Sequence, residues 1–252
     1  MSKIKKLIAS GGWLAFKICP RLNRIIPDAL SRERLAARYL KGDGLEIGAL
    51  HNPLPVSPGT HVKYVDRMSV AELRRQYPEF NNQKLKLTEP DIIDDGETLA
   101  TIPDDSQDFL IANHFLEHCQ NPMLALQNML RVLRPQGVLY LAVPDMRASF
   151  DRNRPVTPLL HLERDYREGP EWSRRPAFEE YVRLVDKIID PEKARRQVED
   201  YLNINYSIHY HAWTETEIME ILVYLRRKLN LEFTIELFCR RGPEIIMILR
   251  RN

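Results

Sequence analysis

Apolar residues recur along this chain in two rhythms. Short runs at Leu45-Glu46-Ile47-Gly48, Val62-Lys63-Tyr64-Val65-Asp66, Asp91-Ile92-Ile93-Asp94 and Asp108–Asn113 read as strands, each ending in glycine, an acid or an amide. Val138–Val143 is apolar throughout, as expected of a strand buried on both faces of a parallel sheet. Between the strands lie helical signals. Asp28 or Ser31 caps a helix to about Leu40, stopped by Gly42, and another follows Asp66 through Ser69–Leu73. Asn121-Pro122 starts a helix whose apolar stripe is Met123, Leu124, Leu126, Met129, Leu130 and Leu133, and Pro135 and Gly137 end it. This alternation over 45–143 predicts a doubly wound α/β sheet.

The rhythm breaks over 145–205, a charge-rich stretch with helical pieces near Leu159–Tyr166 and Phe178–Ile189. Such an insertion after the fifth strand reads as a lid or substrate-binding part. Order returns with the capping box Thr214-Glu215-Thr216-Glu217, a helix to about Leu229, and two strands, Leu231–Cys239 and Glu244–Leu249, forming a terminal hairpin. Four segments result: a basic leader and helix (1–43), a ligand-binding core (44–144), the insertion (145–205), and a closing helix and strand pair (206–252).

Composition adds limits. The chain has 252 residues, 44% hydrophobic and 29% charged, an ordinary globular balance. Cys19, Cys119 and Cys239 are too few and too scattered for a disulfide framework or zinc ribbon, which favours a reducing compartment, and a cytoplasmic location is expected. The formal charge of +2 is uneven: residues 1–27 hold six basic residues and no acid, so the rest is net negative. That distribution argues against a nucleic-acid partner. Three readings of the leader stand. Its apolar stretch 7–16 is interrupted by Gly11, Gly12 and Lys17, unlike a signal peptide, and no window spans a membrane. An amphipathic segment making weak peripheral contact with an anionic membrane through Trp13, Leu14 and Phe16 is the second. A solvated leader is the third. The sequence leaves oligomeric state unassigned.

In a doubly wound sheet, ligands bind beyond the carboxyl ends of the strands. Asp66 lies 20 residues after Glu46, the separation at which an acid reaches a ribose, although a turn or cap role also fits. The connection 49–61 carries Pro53, Pro55 and Pro58, leaving little room for a helix. A pyrophosphate needs a glycine-rich turn feeding a helix N-terminus, so NAD and FAD fit poorly. S-adenosylmethionine, with a ribose and adenine but no phosphate, fits better.

Several motifs fall in a familiar order: Leu45-Glu46-Ile47-Gly48-Ala49, Tyr64-Val65-Asp66, Asp95-Gly96-Glu97-Thr98-Leu99, Asp105-Ser106-Gln107-Asp108-Phe109, Leu116-Glu117-His118 and Leu133-Arg134-Pro135-Gln136-Gly137. Together, over about 44–144, they resemble the class I S-adenosylmethionine-dependent methyltransferases, in particular the type 11-like group with a Leu-Glu-His signature after strand four. The resemblance implies a seven-stranded Rossmann-like sheet with a C-terminal antiparallel hairpin, and S-adenosylmethionine as cofactor. It places Glu46 and Gly48 at the methionine end, Asp66 on the ribose, Arg67 and Met68 beside the adenine, Asp95 and the Gly96 backbone at the adenine amine, and Asn113 and His114 flanking the methionine. Leu50 and Asn52 stand where the family has its next glycines, so the backbone of Ala49–Leu50 or the side chain of His51 is expected to replace that contact.

Methyl transfer from a sulfonium needs alignment, and a hydroxyl acceptor must also lose its proton. His209 and His211, sharing one face if extended and standing at the expected rim of the site, are the candidate catalytic residues, against a reading as solvated loop. His114, Glu117 and His118 would share a helix face; this is similar to metal-assisted ubiquinone-pathway methyltransferases, which carry an acid where His114 stands. A structural helix start is the preferred reading there, and no metal is expected. His161, Glu163 and the run Asp151-Arg152-Asn153-Arg154 either meet a polar acceptor or form a solvated face. Cys119 is expected to be packed and inert. The expected activity is methyl transfer to an oxygen of a polar small-molecule or glycan-type acceptor. The alternatives are transfer to nitrogen or carbon, and a non-catalytic binding module.

Overall fold

The computed structural model describes residues 30–81 and 85–252, so the expectations for the leader lie outside the described residues. Seven strands form one sheet: β1 Asp43–Ile47, β2 His61–Asp66, β3 Ile92–Ile93, β4 Gln107–Asn113, β5 Leu133–Pro144, β6 Phe233–Arg241 and β7 Glu244–Arg251. Their order is β3-β2-β1-β4-β5-β7-β6. The first five are parallel, and β7 enters antiparallel beside β5, pairing Pro144 with Glu244. The chain runs outward from β1 to β3 and then jumps back to β4, which places the switch point between Ile47 and Ala112.

Helices cover both faces, as a parallel sheet demands. They are α1 Arg32–Tyr39, α2 Val70–Gln76, α3 Pro122–Val132, α4 Leu159–Glu168, α5 Glu171–Leu184, α6 Pro191–Asn203 and α7 Glu215–Lys228. The two-residue period of β4 divides the core. Leu110 and Ala112 join Leu126, Met129, Ile221 and Leu225 of α3 and α7, while Phe109 and Ile111 meet Leu35, Ala36 and Leu40 beside α1. The Ser31, Asn121 and Thr214 caps form as expected. The insertion has a core of its own, Phe178, Val182, Val198, Ile208 and Tyr210. Burying each large side chain there contributes about 1.5–3 kcal/mol.

Three local expectations change. Helix α6 was not marked by the sequence reading, although Asp190-Pro191 starts it with an acid cap and a first-turn proline. Strand pairing resumes at Leu133, before Pro135 and Gly137, because an irregularity between Gln107 and Phe109 absorbs the shift in register. Leu116–His118 is a single 3-10 turn and not the start of a helix. No helix among the described residues is long and apolar enough to cross a membrane.

Candidate functional site

The carboxyl ends of β1, β2 and β4 converge at the switch point. Gly48 adopts φ +63°, and a Cβ there would meet only Phe115, at 3.9 Å, so its backbone borders open space. Gly96 is the opposite case: a Cβ would press into Phe115 and Ile47, which lets its loop lie flat on the strand ends. Glu46 is buried and accepts from the Leu54 N–H at 3.0 and 3.1 Å, which pins the proline-rich loop onto β1. Burial raises its pKa to about 7 against that hydrogen bond and the Arg32 charge. Asn113 lies beside Glu46, and both polar atoms of its amide are buried without an aligned hydrogen bond. Leu50 takes a left-handed φ of 49° and its carbonyl accepts from Thr88 N–H at 2.6 Å, while burial lowers the His51 pKa.

The nucleoside side is more polar. Asp66 closes β2 half-buried, with its pKa raised by burial, and Oδ1 accepts from the Met68 N–H at 3.3 Å. Arg67 donates to the Tyr77 hydroxyl, and Met68 packs against the Leu73, Tyr77 and Leu87 cluster. Asp95 is exposed and one of its oxygens accepts from Glu97 N–H at 2.8 Å.

These residues fit S-adenosylmethionine on structural grounds. The Gly48 backbone borders open space, the buried Asn113 amide makes no aligned hydrogen bond, and the connection after Gly48 holds no helix N-terminus for phosphates. When bound, that cofactor supplies an electrophilic methyl group. The residues that would hold it are Asp66 and the Asp95-Gly96 loop for the nucleoside, and Gly48, Ala49, His51, Glu46 and Asn113 for the amino-acid end; His114, expected there as well, is engaged by Glu117 and Glu244.

At the same end of the sheet runs a chain of alternating charges whose members lie far apart in the sequence. Arg32 forms an ion pair with Glu244 on β7. Glu244 lies 3.2 Å from His114 Nε2, whose Nδ1 is 3.4 Å from Glu117. Burial pulls His114 down, but its hydrogen bonds to Glu117 and Glu244 outweigh this and carry it to about 9. Burial would raise Glu244, yet His114 and Arg32 hold it at about 2. Glu117 is fully buried and still kept below the usual carboxylate range by His114.

Beyond Glu117 stands His209. Its Nδ1 is 2.7 Å from Asp151, and its Nε2 is turned toward Glu117 Oε1 at 3.9 Å. Arg154 binds Asp151 at 2.8 Å and also holds Glu180 and the carbonyls of His209 and Tyr210. The Tyr210 N–H donates to the Glu117 carbonyl at 2.8 Å, bringing this segment against the turn after β4. Burial would raise Asp151, but His209 and Arg154 bring it to about 2.

The expected rim position of the two histidines is corrected here: His209 and His211 are 8% and 2% exposed. The segment that carries them pairs into no strand, and the two rings meet different partners. His211 turns to the Gln120 carbonyl, 3.3 Å away, and stacks on Trp213. Burial lowers its pKa to about 4, and the same cause takes His118 to about 4. Asp151 and Arg154 are buried too, so the 151–154 run is not simply a solvated face. Cys119 is buried, and burial raises its thiol well above the ordinary value, as expected of an inert group. Two groups bring ligand atoms within 4.8 Å of one another, Glu117-His118-His209 and His161-Asp165-His211.

Residues 56–141 match the family described as methyltransferase domain. No curated protein matches the chain. Among solved structures, the PH0226 protein of Pyrococcus horikoshii is 16% identical, with 91% of this chain and 97% of that one covered, at a TM-score of 0.46. A methyltransferase of Methanosarcina mazei is 18% identical over 85% and 95% of the two chains, TM-score 0.43. The CurJ carbon methyltransferase is 13% identical at a TM-score of 0.45; 84% of this chain is covered, and it spans about half, 49%, of that protein. Over residues 56–141 the chain is thus similar to the methyltransferase-domain family, and its sheet, of order β3-β2-β1-β4-β5-β7-β6, carries an antiparallel β7 beside β5.

Proposed function

We propose that the protein transfers the methyl group of S-adenosylmethionine to an oxygen of a polar small-molecule or glycan-type acceptor. One observation carries this reading. His209 is fixed at Nδ1 by Asp151 and carries Nε2, 3.9 Å from Glu117 Oε1, beside the turn that follows β4. An imidazole held in this way accepts a hydrogen bond from a hydroxyl while a methyl donor is aligned across from it. Phe150, 38% exposed, lies 4.5 Å from the His209 ring and offers an aromatic plate beside it, suited to a sugar or ring-shaped acceptor. His211 supports the segment from its far side.

Two measurements test this. Calorimetry should show S-adenosylhomocysteine binding, weakened by changes at Asp66. Transfer of labelled methyl should then favour hydroxyl acceptors over matched amines or carbon acids. Preference for an amine or carbon acid would overturn the oxygen assignment. Cofactor binding with no transfer to any of the three classes would favour a binding module, the reading in which Leu50 and Asn52 replace the family's glycines.

A further inference from the structure

Around His211, two residues along the closing segment from His209, lies a cluster outside the proposed chemistry. His161 and Asp165 are one turn apart on α4 and face His211. Asp165 is fully buried. Its Oδ1 accepts from the Ser173 hydroxyl at 2.8 Å, and its Oδ2 lies 3.1 Å from His161 Nε2 yet makes no aligned hydrogen bond. His211 Nε2 faces the Gln120 carbonyl, which only accepts, so the ring proton sits there and Nδ1 presents a lone pair. That Nδ1 is buried and has no hydrogen-bond partner.

We infer that His161, Asp165 and His211 form a binding site for a divalent transition-metal ion of the zinc type, which fastens insertion helix α4 to the segment carrying His209. Three features support it. The ligand atoms all lie within 4.8 Å of one another, and the 3.1 Å separation of His161 and Asp165 is close to the edge of about 3.3 Å between donors on a tetrahedral ion with bonds of about 2.0–2.1 Å. Two orphaned buried atoms, Asp165 Oδ2 and His211 Nδ1, would both be satisfied by one cation. Outer partners are already in place: the Gln120 carbonyl orients His211 and Ser173 holds Asp165, as in built metal sites. Trp213 stacks on His211, and Trp172 packs on His161, whose side chain is 30% exposed and provides the entry path. Two imidazoles and one carboxylate suit zinc or cobalt better than magnesium or calcium.

The test uses the full chain, stripped with a chelator and titrated with Co²⁺ and Zn²⁺. The expected result is one Co²⁺ per chain with the visible absorption of a tetrahedral nitrogen–oxygen site, and a melting temperature raised by Zn²⁺. His161→Ala, at a partly exposed position, and Asp165→Asn should each weaken Co²⁺ binding by about tenfold or more. Absence of both the absorption and the thermal shift in the unaltered chain would overturn the inference. So would binding that survives His161→Ala but is lost in His118→Ala, since that ion would sit at Glu117-His118-His209. Loss of oxygen methylation alone, with Co²⁺ binding intact, would count against the proposed activity and leave this site standing.

Discussion

The cofactor wall and the acceptor wall of the proposed site are prepared in opposite ways. On the cofactor side, the buried Asn113 amide makes no aligned hydrogen bond and Gly48 borders open space. On the acceptor wall, charges are paired in sequence from Arg32 through Glu244, His114, Glu117, His209 and Asp151 to Arg154 and Glu180. On the proposed reading, the first side would be completed by its ligand, whereas the second is paired without one. A tight-binding nucleoside can contribute the energy that orders its own site. On the proposed reading, an acceptor would meet an imidazole already held by Asp151, the preorganisation that transition-state alignment requires.

Perturbing each wall should therefore give different signatures. The largest effect is expected for His209→Ala, which should lower turnover about 10²–10⁴-fold while cofactor affinity stays nearly intact. Full turnover in a folded variant would move the acceptor contact elsewhere. Next, Arg154→Met strands the buried Asp151 carboxylate and should cost about 3–5 kcal/mol of stability by denaturant titration. A loss under 1 kcal/mol would show that the acceptor wall is not prewired as described. On the cofactor wall, Asp66→Ala should weaken S-adenosylhomocysteine by about 1.5–3 kcal/mol with little change in melting temperature. An unchanged affinity would remove the ribose assignment.

The smallest effect is a pH dependence. His114 is raised from 6.5 to about 9, so its contribution is complete below pH 6.5 and fades as pH rises through 9. Glu244 is depressed from 4.5 to about 2, so its contribution is complete above pH 4.5 and is lost as pH falls toward 2. Stability from this pair is therefore greatest between pH 4.5 and 6.5. Glu244→Gln should flatten the alkaline decline by about 1–2 kcal/mol in denaturant titrations at pH 6 and pH 9. An unchanged decline would mean that His114 is not held by Glu244.

The cofactor wall was the more legible in sequence. Strand-end residues such as Glu46, Asp66 and Asn113 are placed by short periodic runs, and local pattern suffices to find them. The acceptor wall depends on partners far apart in the chain. Asp151 and Arg154, three residues apart, look like a surface pair; what buries them is His209 and the carbonyls of 209 and 210, more than fifty residues away. Glu244 and Arg32 are 212 positions apart, and nothing in either neighbourhood announces the other. His209 and His211 stand out in the sequence as candidates, but their partners, Asp151 for one and the Gln120 carbonyl for the other, lie 58 and 91 residues away. Helix α6 is a different kind of omission: Asp190-Pro191 carries the same type of start signal as Asn121-Pro122.

Strand β7 sets the order in which this molecule can be assembled. Every strand from β1 to β5 can pair as it leaves the ribosome, but β5 keeps an open edge until Glu244–Arg251 slides between it and β6. An uncovered apolar edge is a template for pairing with other chains, so the nascent protein is most exposed to aggregation in that interval. The same strand delivers Glu244 to His114 and Arg32. Charge pairing at the sheet end thus comes last, and a chain stalled before β7 would carry the cofactor-facing strands without a finished acceptor wall.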